Sequence, residues 1–95
     1  MKDYAKILVD KEGLSSLQEV IHIGKEVMEK KLKVYEKKIR KFERANRMDN
    51  ETFVISFNRG DLGDSKEWLE WDHVANVAVQ LNKKLKALEK LRYEY

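Results

Sequence analysis

The apolar positions fall into two long helical stripes separated by a shorter, less regular segment. Leu14, Ile21, Met28, Tyr35 and Phe42 recur every seven residues, and Val20, Val27 and Val34 keep the same repeat beside them. The companion stripe shifts midway, from Leu17 and Gly24 to Leu32 and Ile39. A strict coiled coil would hold one seam, so the drift predicts a straighter helix packed in a small bundle. Ser16 and Glu19 have capping-box spacing, which predicts a helix over 16–46, about 45 Å long. A second capping-type sequence, Asp64-Ser-Lys-Glu67, opens the last helix. There Val74, Leu81, Leu88 and Tyr95 repeat every seven, flanked by Trp71, Ala78 and Leu85.

Between them, "MDNETFVISF" is balanced. Phe53, Ile55 and Phe57 alternate as in a strand, yet Phe53 and Phe57 also share a helical face, and Asp49 or Asn50 can cap a short helix. Gly60 and Gly63 mark a turn. At the start, Ile7, Leu8 and Val9 form one apolar cluster closed by Gly13, a strand or an ordered arm rather than a helix. The division is therefore an N-terminal arm, 1–13, and a helical hairpin domain, 14–95. The expected fold is all-α, with two long antiparallel helices. Neither long stripe is fully covered by one partner, which favours a homodimeric four-helix arrangement.

Composition supports that expectation. The chain has 95 residues and no cysteine, so neither disulfides nor thiolate ligands can staple it. Small domains of this kind gain stability by oligomerising. No apolar run approaches the ~20 residues needed to span a bilayer, and the charged start does not fit a secretory signal. The expectation is a soluble cytoplasmic protein without a membrane partner. Net charge is only +3, but it is unevenly spread. Residues 25–47 carry ten Lys/Arg against four Glu, whereas 61–72 carry five acids against Lys66.

Three kinds of chemistry can be weighed. Glu19 with His22 and Glu70 with His73 form two Glu-x-x-His tetrads, the unit that builds di-metal carboxylate sites in helical bundles. Both tetrads lie off the apolar stripes, and an antiparallel hairpin separates them, so solvated helix faces are the plainer reading. Lys37, Lys38, Arg40, Lys41, Arg44 and Arg47 make a candidate nucleic-acid surface. They are interleaved with glutamates, and Glu26–Lys30, Glu29–Lys33 and Glu36–Arg40 have the favourable i,i+4 order of a solvated face. No nucleophile with its base and no glycine-rich phosphate loop is recognisable, which argues against an enzyme and against a cofactor. Of the two tryptophans, Trp71 is expected inside against Phe53 or Phe57, and Trp68 at the surface as a partner anchor.

Tyr35-Glu36-Lys37-Lys38, Met48, Asp49, Glu51, Phe53, Phe57, Gly60, Leu62, Gly63, Asp64, Glu70 and Trp71 follow one another as an ordered string. The string resembles a pattern in small bacterial and archaeal antitoxin-like proteins of toxin–antitoxin pairs. It spans roughly residues 32–91. Two departures stand out. The glutamate-rich helical stretch expected after Met is here the β-prone "TFVISF", and the N-terminal arm has no counterpart. The resemblance implies a short helix at 50–58. It also implies a non-enzymatic cytoplasmic protein that binds and neutralises a ribonuclease-like toxin. A toxin acting on RNA needs a basic working face, which an acidic turn can cover. Asp61, Asp64, Glu67, Trp68 and Glu70 are the candidate docking surface.

Overall fold

The computed structural model describes residues 3–94, and all the regular structure among them is helical. Helix α1 spans Lys11–Asn46, α2 spans Asn50–Asn58 and α3 spans Lys66–Glu89. Tyr95, placed on the α3 stripe by its spacing, lies outside the described residues, as do the first two residues of the arm.

Helix α1 begins earlier than its capping-type sequence predicts. Asp10 is the N-cap, with φ −56° and ψ 142°, and its carbonyl accepts from Gly13 N at 2.9 Å and Leu14 N at 3.0 Å. Ser16 and Glu19 therefore sit within the helix and form no capping box. Lys11 and Glu12 are good helix formers, and Glu12 faces the positive end of the macrodipole. Together they carry the helix through Gly13, whose intrinsic cost is about 1 kcal/mol. The arm is correspondingly shorter, 3–10, exposed and without regular structure.

The inner stripe of α1 follows the sequence pattern closely. Leu14, Leu17, Ile21, Gly24, Met28, Leu32, Tyr35, Ile39 and Phe42 are all half-buried, and the spacing changes between Gly24 and Leu32 where the pattern drifts. At 3.6 residues per turn these positions stay on one side of a straight helix. The 53 Å long dimension of the molecule matches the length of α1. Arg47 closes it in the left-handed region, φ 48°, while its N–H donates to the Glu43 carbonyl.

In α2 the ambiguous segment resolves as a helix. A strand would turn Phe53, Ile55 and Phe57 to one side together. Here Phe53 is fully buried and Phe57 half-buried, while Ile55 is exposed. The local reason is the cap: the Asp49 carboxylate accepts from Thr52 N at 2.7 Å. These contacts, the backbone N–H of Thr52 first and then its side chain, hold the Asp49 carboxyl below its ordinary range.

Gly60 and Gly63, at φ 81° and 76°, turn the chain into α3. The cap of α3 is Ser65, whose hydroxyl accepts from Trp68 N at 3.4 Å, one residue beyond the expected Asp64. Helix α3 runs antiparallel to α1 and supplies six of the seven buried residues among those described: Trp71, Val74, Ala75, Ala78, Leu81 and Leu85. Phe53 is the seventh, and α1 supplies none. Ala75 and Ala78 let the helices approach, while Leu88 at the far end is only half-buried.

Candidate functional site

The turn end of the hairpin is built around Trp71. Its ring lies between Phe53 of α2, centroids 4.0 Å apart and nearly parallel, and Phe42 of α1, at 5.4 Å. Phe53 also stacks on Phe57 at 5.5 Å. Met48, Val54 and Leu62 close around this aromatic column. A polar chain runs beside it: Glu43 Oε2 accepts from Asn50 N at 2.9 Å, and Asn50 Oδ1 accepts from Trp71 Nε1 at 2.9 Å. One residue from each helix is thus joined in sequence. The indole N–H is satisfied where an unpaired buried donor would cost about 1–3 kcal/mol. This linkage had no signature in the sequence, because Glu43 and Asn50 meet only once α2 folds back.

Trp68 does not take the surface position expected of a partner anchor. It is half-buried, tilted against Phe53 at 5.6 Å and Trp71 at 6.0 Å. The i,i+3 spacing that places it beside Trp71 on α3 turns much of its ring toward α2. It packs against the aromatic core cluster rather than projecting as an anchor.

The four acids of the candidate surface are all exposed and come from two neighbouring elements. Asp61 and Asp64 lie in the glycine turn. Glu67 and Glu70 stand on the first turns of α3 and line a shallow groove of about 300 Å³ with Lys38, Lys41, Phe42 and Ala45 of α1. Glu67 also accepts a long hydrogen bond from Asn46, 3.4 Å. Among the described residues none of the four acids is in an ion pair. The site is therefore an acidic lip beside a groove with an apolar floor and mixed-charge walls.

On the remote side of α1 the basic residues are more ordered than their sequence suggests. Lys33, Lys37, Arg40, Arg44 and Arg47 are spaced 4, 3, 4 and 3 apart and are all exposed. They fall within an arc of about 80°, roughly opposite the inner stripe. Lys38 and Lys41 instead line the groove. None of the three i,i+4 pairs anticipated along this helix closes to an ion pair; Glu26 instead meets His22 at 3.2 Å.

The two Glu-x-x-His tetrads are not brought together. Glu19, His22, Glu70 and His73 are all exposed. The Phe42–Trp71 stack sets the register between the helices, and it places the two histidines about 27 Å apart along α1. The described residues contain no group of three His, Asp or Glu arranged to share a metal ion. No helix among them is long and apolar enough to cross a membrane. No family model, curated protein or solved structure matches the chain.

Proposed function

We propose that the chain is a non-enzymatic protein-interaction module of the antitoxin type, which docks on a basic partner through its 61–70 lip. The observation that carries this reading is the placement of four exposed acids, none of them in an ion pair among the described residues, beside the aromatic core cluster. A surface held by the Trp71 column loses little freedom on binding, and preformed charge steers association with a surface of opposite sign. Phe42 and Ala45 in the groove provide the apolar contact that charge alone lacks. A ribonuclease-like toxin, whose RNA-binding face must be basic, fits this chemistry.

The test is co-expression with the product of the neighbouring gene. The wild-type chain should restore growth and copurify with that product. Asp61→Lys with Asp64→Lys should abolish both while leaving the far-ultraviolet circular dichroism unchanged, since both acids are exposed. Undiminished rescue by the double variant would overturn the assignment.

A second reading is favoured by the five-residue basic stripe on α1. Its span, about 21 Å, can follow a nucleic-acid backbone. If it does so, the isolated protein binds duplex DNA or RNA with a log–log salt slope of about −4 to −5. Arg40→Glu should lower that slope. Docking through the acidic lip requires neither result.

A further inference from the structure

Besides its inner stripe, α1 carries a second apolar face that none of the described residues covers. Val20, Ile23, Val27 and Val34 are 65, 51, 59 and 51% exposed. At 3.6 residues per turn they lie within an arc of about 60°, some 110° round from the face that meets α3. Four aliphatic side chains in one line on a helix are an interaction surface rather than scattered exposure.

The charges beside this line say what covers it. Glu12, Glu19 and Glu26 follow one another every seven residues in the first half of α1, and Lys30, Lys37 and Arg44 do the same in the second half. All six are exposed, and they share one flank of the valine line, on the side away from α3. Within the chain none of them pairs with another of the six. A second α1 laid antiparallel satisfies both features in one register. With Val27 opposite its own copy, Val20 meets the partner's Val34, each seven residues from the axis. Glu26 faces the partner's Lys30, Glu19 the partner's Lys37, and Glu12 the partner's Arg44.

Each of these ion pairs is centred on residue 28, one position from the apolar centre. That is an axial offset of about 3 Å, which long side chains span easily. A parallel two-fold pair would instead put the two charged flanks on opposite sides of the interface, where none of these ion pairs can form. Antiparallel macrodipoles also attract.

We propose that the protein is a homodimer in which the two α1 helices pack antiparallel about a two-fold axis at Val27, registered by three reciprocal Glu–Lys/Arg pairs. The interface reaches Arg44, beside the Lys41–Ala45 wall of the groove, but it uses none of the lip's acids and does not depend on the docking function assigned to them. It does engage Lys37 and Arg44, so dimer formation and nucleic-acid binding along the basic stripe exclude one another.

The absence of native cysteine makes the register directly readable. Val27→Cys should form a covalent dimer under mild oxidation. Val20→Cys alone should not, whereas Val20→Cys mixed with Val34→Cys should cross-link. Wild-type chain should sediment at twice the mass of Val27→Glu, with both retaining the same helical circular dichroism. Lys37→Glu should raise the dissociation constant about tenfold, and adding Glu19→Lys should restore it. A monomeric wild type, or self-cross-linking of Val20→Cys without cross-linking of Val27→Cys, would overturn the proposal.

Discussion

The two ends of the hairpin are built from similar sequence patterns and reach different packing. At the turn end, Trp71 and Phe53 have no exposure, and Asn50 ties α2 to both long helices. At the terminal end, Leu14, Leu17 and Ile21 have the same helical spacing, yet each remains half-exposed. There the arm contributes Tyr4, with Arg92 5.7 Å from its ring centre, and Ile7 and Leu8 stay in solvent. What differs is how many elements reach each end. From the Phe42–Trp71 stack, α3 ends level with about residue 24 of α1, so Leu14, Leu17 and Ile21 have no helix opposite them, whereas the turn end gains α2 as a third element. Burial in this protein therefore follows the number of elements that meet at a point more than the hydrophobicity of any one stripe.

The largest expected effect is at the closed end. Trp71→Ala should cost about 3–5 kcal/mol, because it removes the centre of the stack and leaves the Asn50 carbonyl without its donor. Leu17→Ala at the open end should cost less than about 1.5 kcal/mol, since water already reaches that side chain. Equal losses in urea denaturation would remove the distinction between the ends.

A smaller effect of opposite sign is expected from Gly24→Ala. An added Cβ meets no atom within 4 Å, so the substitution should gain the helix propensity of alanine, about 1 kcal/mol, without steric cost. The gain should appear as a melting temperature several degrees higher. A loss of stability would mean that the open end is tighter than its exposure indicates.

The smallest effect concerns the cap that starts α2. The Asp49 carboxyl is held below its ordinary value of 3.8 by the Thr52 contacts, so folding favours its charged form. Its contribution is complete above that value and is lost as pH falls through the lower value of the folded state. Asp49→Asn keeps an acceptor for Thr52 and removes the titration. Its stability should run flatter than wild type in acid denaturation below pH 3.8. Parallel curves would show that the cap carries no pH dependence.

Much of the fold was legible because it depends on local periodicity. The inner stripe of α1, including the shift after Gly24, and the core residues of α3 are the ones the spacing picks out. The short helix at 50–58 was legible only through the resemblance, since Phe53 and Phe57 suit strand and helix equally. Helix starts were read less well. Ser16 and Asp64 both have capping chemistry, but capping residues mark where a helix can begin, and neighbours such as Asp10 and Ser65 served instead. The candidate site was half legible: all four acids are exposed as expected, while Trp68 turned inward and Glu67 and Glu70 joined a groove wall.

The sequence by itself determined that this chain is helical, that α1 is straight, that the glycine turn precedes α3, and that charge is segregated along α1. These follow from interactions between residues a few positions apart, which composition and spacing encode directly. Tertiary structure decided that the second apolar line on α1 stays uncovered while the inner stripe meets α3. It also packed Trp68 partly against Phe53 and Trp71 and linked Glu43, Asn50 and Trp71. Those outcomes depend on which elements meet in space, and the spacing of residues along one helix does not encode that.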